Sequence, residues 1–175
     1  MRNWSVVSAI VVVALSTPGA QMGPAQPGPE NKNLEHFVGT WKMEGTMEPS
    51  PMGPGGSFTG TETCRMFDGG FHLVCDSEGS GAMGPMKGHM ILAYDRGAKV
   101  YRYFAINNMA DPEMATGTYS GKTWTWKSEM QMGGKKLWSR FVMVEDSPTA
   151  HSMTGSISED GKKFTTVMKI KTTKQ

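Results

Sequence analysis

Histidine and the carboxylates are the residues of this sequence that catalysis would use first, and neither forms a recognisable constellation. The four histidines, His36, His72, His89 and His151, fall on different predicted elements and share no metal-ligand spacing. No nucleophile elbow, His-Glu-x-x-His helix or glycine-rich phosphate loop is present. The acidic residues stand singly on predicted strands and turns, without a pair placed for glycoside hydrolysis. The sequence therefore predicts a protein that is not an enzyme, with no catalytic residue, resident metal ion or cofactor.

Methionine is the unusual component, with sixteen residues in a chain of 175. Thioether side chains fill irregular cores and form adaptable binding surfaces, and they also bind Cu(I). The best local copper candidate is the group Met83, Met86, His89 and Met90. In a strand, however, His89 points away from the face that carries Met86 and Met90. The pattern favours an apolar interior, with copper binding as an alternative.

The first residues have the order of an export signal. Arg2 is followed by an apolar run at residues 6–15 and by small residues up to Ala20. This run is about half the length of a membrane-spanning helix, so residues 1–20 are predicted to be a cleaved signal peptide of a periplasmic or secreted protein. An uncleaved anchor is the alternative. Residues 21–33, rich in Pro, Gly, Gln and Asn, are predicted to form a disordered linker to one domain at residues 34–173.

The charge balance gives no reason to expect a polyanionic partner. The formal net charge is +2, and charged residues make up 19% of the chain. Nucleic acid is therefore not an expected partner, and neither is stable insertion in a membrane after signal cleavage. The one basic cluster, near the C-terminus, is interpreted as a solvated strand face. The oligomeric state is left open.

Turn chemistry interrupts the rest of the chain at intervals of about 10–14 residues. Gly, Asp, Asn and Pro dominate these interruptions, as expected for tight turns. The intervals leave no room for crossover helices, so neighbouring strands must pair antiparallel. Ten strands are expected to close into an up-and-down β-barrel, with a sandwich as the alternative, because an open sheet would leave exposed edges. The predicted turns are residues 49–56, 68–70, 80–84, 95–97, 108–112, 120–121, 133–134, 146–148 and 159–161.

Between the turns, large apolar residues recur with a period of two, which is typical of strands with one face toward a core. In the last strand, for example, Phe164, Met168 and Ile170 share a face. These faces predict an interior able to hold a small apolar or amphipathic molecule. The predicted lining is Trp41, Met43, Met90, Leu92, Phe104, Trp124, Trp126, Phe141, Met143, His151 and Met168.

Two of the predicted faces carry a charged or titratable side chain. His151 shares a face with Met153 and Ile157, and Arg102 shares a face with Phe104. An isolated buried charge is costly, so either residue would need a partner or a ligand if its face points inward. The alternative is a bulge that turns the residue outward.

The two cysteines flank the predicted turn at residues 68–70. If Gly69 and Gly70 are the two loop residues, Cys64 lies opposite Cys75, and an oxidising compartment favours a disulfide between them. A two-residue loop would place the pair at a hydrogen-bonded position, and a four-residue loop at a non-hydrogen-bonded one. Their spacing matches no redox or zinc motif, so the predicted role is to staple one hairpin.

Several short motifs resemble those of known barrels. Gly39-Thr40-Trp41, after one short helical turn that Asn33 could cap, resembles the opening of lipocalins and other calycins, and its continuation to Gly45 is similar to nitrobindins. With residues 67–71, Tyr94-Asp95 and residues 117–119, the chain resembles an uncharacterised bacterial domain-of-unknown-function family with a lipocalin-like barrel. The resemblance implies about ten strands, with Trp41 near a closed end beneath the helical turn.

The resemblance carries no function across. Nitrobindins bind haem through a histidine late in the chain, but the predicted last strand has none, and only His151 could substitute. The sequence therefore favours a barrel that binds a small ligand. The alternative is a solid-cored interaction protein acting through the loops at residues 49–56 and 79–86, or a copper- or haem-binding protein.

Overall fold

The computed structural model describes residues 26–51, 53–109 and 111–175. The predicted signal peptide and the first part of the predicted linker lie outside the described residues. Within them, no helix has the length and hydropathy needed to cross a bilayer.

Ten strands follow a short helical segment. The helical segment consists of α1 (Pro29–Lys32) and a 3-10 turn (Asn33–Phe37), which together we call the helical plug. Each predicted turn connects two strands, as the turn chemistry indicated. The strands are β1 (Gly39–Met47), β2 (Gly56–Met66), β3 (His72–Gly81), β4 (Gly84–Asp95), β5 (Val100–Asn107), β6 (Glu113–Ser120), β7 (Thr123–Met132), β8 (Lys135–Ser147), β9 (Ala150–Ser158) and β10 (Thr165–Lys174).

The strands close into a single antiparallel barrel. Each strand pairs with its neighbours in sequence, and β1 pairs with β10 to complete the ring. Tight turns make this connectivity possible. At Gly133 and Gly134 the φ angles are 58° and 76°, which suits the two-residue hairpin turn that matches strand twist. The barrel prediction is confirmed, and the sandwich alternative is excluded.

The helical plug closes one end of the barrel. Leu34 and Phe37 are buried there, and the indole N–H of Trp41 donates to the Phe37 carbonyl over 2.6 Å. The plug lies on an aromatic cluster. The ring centroid of Trp124 lies 5.3 Å from that of Phe37 and 4.7 Å from that of Tyr101. Burial of these large rings is the main stabilising contribution to this end of the fold. Trp41 therefore sits at the closed end, as the resemblance implied.

The last residues of the predicted linker pack onto the barrel. Asn31 is only 2% exposed, and its amide donates to the Phe71 carbonyl over 2.9 Å. The residues from Gly28 onward thus belong to the domain, because Asn31 fixes them to the β2–β3 turn. Asn33 does not act as the predicted cap; its amide donates to the Tyr101 hydroxyl over 2.9 Å instead.

Cys64 and Cys75 form a disulfide across β2 and β3, with Cα atoms 4.1 Å apart. The Phe67 amide donates to the His72 carbonyl over 2.8 Å, so the loop has four residues. That register leaves the cysteines at a non-hydrogen-bonded position, where the strands approach most closely. The predicted disulfide is confirmed, with the four-residue form of the turn.

Removing this disulfide should destabilise the protein measurably. We expect the double variant Cys64→Ala/Cys75→Ala to lose about 3 kcal/mol of unfolding free energy, because the bond restricts a short loop of the unfolded chain. Urea unfolding of oxidised wild-type protein and the variant measures the difference. Equal midpoints and slopes for the two proteins would contradict this role.

Candidate ligand-binding interior

The barrel brings together on its inner surface all of the predicted lining residues except Phe104. Trp41, Leu92, Trp124, Trp126 and His151 are buried at the closed end. Their side chains are covered by protein, so they form the floor of the interior. The buried cluster is contacted by partly buried side chains farther from the plug, namely Met90, Phe141 and Met143. Met43 and Met168 lie on the same inward faces and are half-buried, farther from the plug.

Phe104 is the predicted lining residue that does not face the interior. It is 40% exposed on the outer surface, together with Ile106. Both faces of β5 carry large apolar residues, so alternation alone does not select the inner face. The structure turns Tyr101 and Tyr103 inward, because the Tyr101 hydroxyl donates to the Glu30 carbonyl of the plug over 3.0 Å. Arg102 consequently points outward, without a bulge, and pairs with Asp95 over 3.1 Å.

Two inward aromatic rings lie against glycines on the adjacent strand. Trp126 covers Gly117, where a Cβ would stand 2.4 Å from the indole. Phe141 covers Gly155 in the same way, and there a Cβ would stand 2.8 Å from the ring. Because the glycines have no side chain, these rings lie along the barrel wall rather than projecting across the interior.

The interior becomes more accessible with distance from the plug. On β3, Leu73 and Cys75 are buried, whereas the next inward residue, Ser77, is half-buried. On β7, Trp124 and Trp126 are buried and Met130 is half-buried in the same way. Solvent thus reaches the inner wall from the end opposite the plug, past a rim that includes Met130 and Met132.

Glu62 is an inward carboxylate that sequence reasoning missed. It pairs with Trp41 across β1 and β2, and one of its carboxylate oxygens lies within 4.8 Å of both the Cys64 and the Cys75 sulfur. Burial raises its pKa to about 7. It has no hydrogen-bond partner among the described residues, yet its surface is partly accessible. The carboxyl therefore lies on the inner wall of the barrel, on the same face of β2 as Cys64. Its position on the same face as the buried Cys64 was the available signal.

A second polar group lies on the inner wall near β6. Burial raises the pKa of Glu113, against the lowering effect of a hydrogen bond from the Ser128 hydroxyl at 3.4 Å. Ser128 in turn contacts the Ser139 hydroxyl at 2.5 Å. Burial also raises the pKa of Tyr103, and the charges of Glu113 and Glu62 add to this effect. The interior therefore combines an apolar wall with two carboxyl groups, and neither carboxyl has a Lys or Arg nitrogen within ion-pair distance among the described residues.

A separate histidine pair, His36 of the plug and His151 of β9, lies where the plug meets the barrel. His151 is 6% exposed, and its ring centroid lies 4.8 Å from that of Trp41 and 5.7 Å from that of His36. Burial, with the nearby His36, lowers the pKa of His151 to about 4. Glu145 accepts a hydrogen bond from the Trp124 indole over 2.8 Å and lies 3.9 Å from His36. His151 thus has the predicted inward position, and its neutral form is strongly favoured.

This arrangement does not fit a haem. The rings of Trp41, Phe37 and His36 all pack within 6 Å of His151, so a porphyrin cannot approach its nitrogens. His89, on the outer face, bonds Asp76 over 2.8 Å. His72 also lies on the outer face of its strand. No described histidine therefore faces the accessible part of the interior.

The copper candidate does not converge either. Met86 and Met90 lie on the inward face of β4, but His89 points outward and Met83 is an exposed turn residue. Glu62, Cys64 and Cys75 are the one group of potential His, Cys, Asp or Glu ligands that lie together within the described ranges. Both sulfurs are in the disulfide, so they supply no thiolate.

Known structures share this architecture at low sequence identity. Rv2717c from M. tuberculosis matches with a TM-score of 0.59 and 12% identity, over 86% of this chain and 99% of its own. The S-type phycobiliprotein lyase CPES from Guillardia theta matches with a TM-score of 0.54 and 11% identity, over 82% of this chain and 90% of its own. These likenesses concern the fold.

Sequence comparison identifies the family. No curated protein matches the chain at a significant level. The family model described as protein of unknown function (DUF1579) matches residues 26–174, which is almost the whole described chain. This agrees with the resemblance found in the short motifs. The chain belongs to the DUF1579 family, with a calycin-like ten-stranded barrel.

Proposed function

We propose that the barrel binds a small amphipathic molecule in its interior, as a binding protein rather than an enzyme. The observation that carries the proposal is the Glu62 carboxyl, which faces the interior, is partly accessible and has no hydrogen-bond partner among the described residues. Polar groups inside proteins are normally hydrogen-bonded, so an unpaired one calls for a ligand or water.

The apolar part of the ligand would contact the half-buried methionines of the inner wall. Met43 and Met168 lie on adjoining strands, and Met143 is directly opposite Met153 across β8 and β9. Unbranched thioethers adapt to apolar bodies of different shape. These residues therefore support binding of a ligand that is selected by its size and hydrophobicity more than by its shape.

The polar part of the ligand would be a basic group. Glu62 and Glu113 both face the interior, and neither has a cation within ion-pair distance among the described residues. A protonated amine beside Glu62 would lower the pKa of that carboxyl and form a charge-assisted hydrogen bond in a poorly hydrated site. A simple amine with an alkyl chain therefore represents the ligand class.

We infer further that the protein acts outside the cytoplasm. The disulfide between Cys64 and Cys75 supports this, since such bonds persist in oxidising compartments. Detection of the protein in the periplasmic or culture fraction, with residues 1–20 removed, tests the inference.

Calorimetric titration with n-octylamine and octan-1-ol tests the ligand proposal. We expect octylamine to bind more tightly at pH 8 than at pH 5, because Glu62 ionises near pH 7. At pH 8, Glu62→Gln should weaken octylamine binding by about tenfold or more and leave octanol binding nearly unchanged.

Glu78→Gln is the matched control, because Glu78 lies on the outer face of the neighbouring strand and pairs with Lys87. Equal octylamine affinity for wild-type protein and Glu62→Gln would overturn the role of Glu62. Failure of both probes to bind would favour a solid-cored interaction protein.

A further inference from the structure

A groove of about 780 Å³ runs along the outer surface of β5, β6, β7 and β8. It is separate from the barrel interior, because its exposed side chains point away from the interior. Its floor is the outer sheet face, and the β9–β10 loop forms one wall. We call this feature the outer groove. Its side chains include Arg102, Phe104, Met114, Lys127, Trp138, Arg140 and Phe164.

Exposed apolar side chains follow the length of the groove. Met114 is 71% exposed and lies directly opposite Phe104 across β5 and β6. Trp138 is half-buried two strands away, on β8. Glu129 lies opposite it on β7, accepts a hydrogen bond from its indole N–H over 3.0 Å and is neutralised by Lys136. Adjacent apolar residues on an outer sheet face, where solvent would favour polar ones, indicate a binding surface.

The wall of the groove is preorganised. The Asp160 carboxylate accepts hydrogen bonds from the backbone N–H groups of Lys162 and Lys163, each at 2.8 Å. This turn holds Gly161 against the Trp138 ring, where a Cβ would stand 3.4 Å away. It also places the Phe164 ring 4.3 Å from the Arg140 guanidinium. A bulge in β10 between Thr166 and Met168 separates Phe164 from the inward face predicted for it.

A row of cations runs beside the apolar stripe. Arg102, Lys127 and Arg140 lie on one cross-strand line, in which Lys127 is directly opposite Arg140. Arg102 is neutralised by Asp95. Neither Lys127 nor Arg140 has an acidic partner among the described residues, and the buried Nε of Arg140 has no hydrogen-bond partner there. Like charges directly opposite each other in a sheet are destabilising, so this pair is suited to an anion.

We propose that the outer groove binds a small amphipathic anion, with a carboxylate or sulfonate between Lys127 and Arg140. The apolar body of the ligand lies along Met114, Phe104 and Trp138. The outer groove is independent of the interior site, since different side chains would contact the two ligands. A single alkyl or aromatic body of moderate length fits the chemistry of the stripe.

Nitrogen-15 NMR with monomeric decanoate tests this site directly. We expect decanoate to shift the signals of the Trp138 indole N–H and the Arg140 Nε–H, and decan-1-ol to bind at least about tenfold more weakly. The double variant Lys127→Gln/Arg140→Gln should weaken decanoate binding by about tenfold, and it removes a repulsion, so it should fold. Lys171→Gln, an exposed lysine on the outer face of β10, is the control and should leave decanoate affinity unchanged.

Met114→Ser is a second test, because this exposed side chain can be replaced without touching the core. We expect it to weaken decanoate binding by about threefold to tenfold. Decanoate shifts confined to the buried Trp124 and Trp126 indoles would overturn the outer site and leave the interior proposal standing. Binding to phosphatidylglycerol vesicles with no response to monomeric decanoate would also overturn it, since the ligand would then be a membrane surface.

Discussion

Replacing Glu62 by Gln raises the unfolding free energy by roughly 2–3 kcal/mol at pH 8 and leaves it almost unchanged at pH 4. The folded-state pKa of Glu62 is about 7, against about 4.5 in the unfolded chain. Between these values the folded state binds more protons, so its stability falls as pH rises from 4.5 to 7. Glutamine cannot ionise, so the variant avoids this loss above pH 7.

Urea unfolding at pH 4 and pH 8 measures the effect, with Glu78→Gln as the control. Glu78 is exposed on the outer face of β3, and we expect its replacement to change stability by less than about 0.5 kcal/mol at either pH. A Glu62→Gln protein that is less stable than wild type at pH 8, or equally stabilised at both pH values, would contradict the buried carboxyl.

His151 is expected to have the opposite effect on the pH dependence of the unfolding free energy, because it destabilises the folded protein as pH falls. Replacing it by Gln should remove that loss. The folded-state pKa of His151 is about 4, below its ordinary value of 6.5. The unfolded state therefore binds more protons between pH 6.5 and pH 4, and the histidine removes roughly 3 kcal/mol of stability as pH falls through that range. The surrounding charges are those of His36, Glu145, Asp146 and Lys174.

The two effects overlap between pH 4.5 and 6.5, where Glu62 and His151 oppose each other. Wild-type stability should therefore vary little with pH in this window. Glu62→Gln should become less stable as pH falls, and His151→Gln more stable relative to its own value at pH 7. Unfolding free energies of the two single variants and the double variant, compared at each pH, remove the shared contribution of the exposed carboxyls. Parallel pH profiles for the two single variants would contradict the placement of His151.

The barrel could be predicted from the sequence because the turns are short and chemically explicit. Gly133 and Gly134 adopt positive φ in a two-residue turn, and the turn at residues 68–71 sets the register that joins Cys64 to Cys75. Once each hairpin has its register, alternation assigns most inward residues. Alternation places Trp41, Trp124 and Trp126 on the inner face correctly, because each is flanked along its strand by polar residues that point outward.

Alternation failed where both faces of a strand have similar character. On β5 the large residues Tyr103 and Phe104 are adjacent, and only the contact of Tyr101 with the plug decides which face is inward. On β2 both faces are rich in small polar residues, so Glu62 gave no hydrophobic signal of its own. The outer groove depends on Phe164 reaching Arg140, a contact between the β9–β10 loop and β8 that local sequence patterns do not encode.

A crystal structure of the protein grown with 8-bromooctylamine would locate the ligand directly. We expect an anomalous bromine signal inside the barrel, among the inward methionines, with the amine about 3 Å from the Glu62 carboxylate. An interior completely filled by its own side chains, with bromine found only outside the barrel, would contradict it.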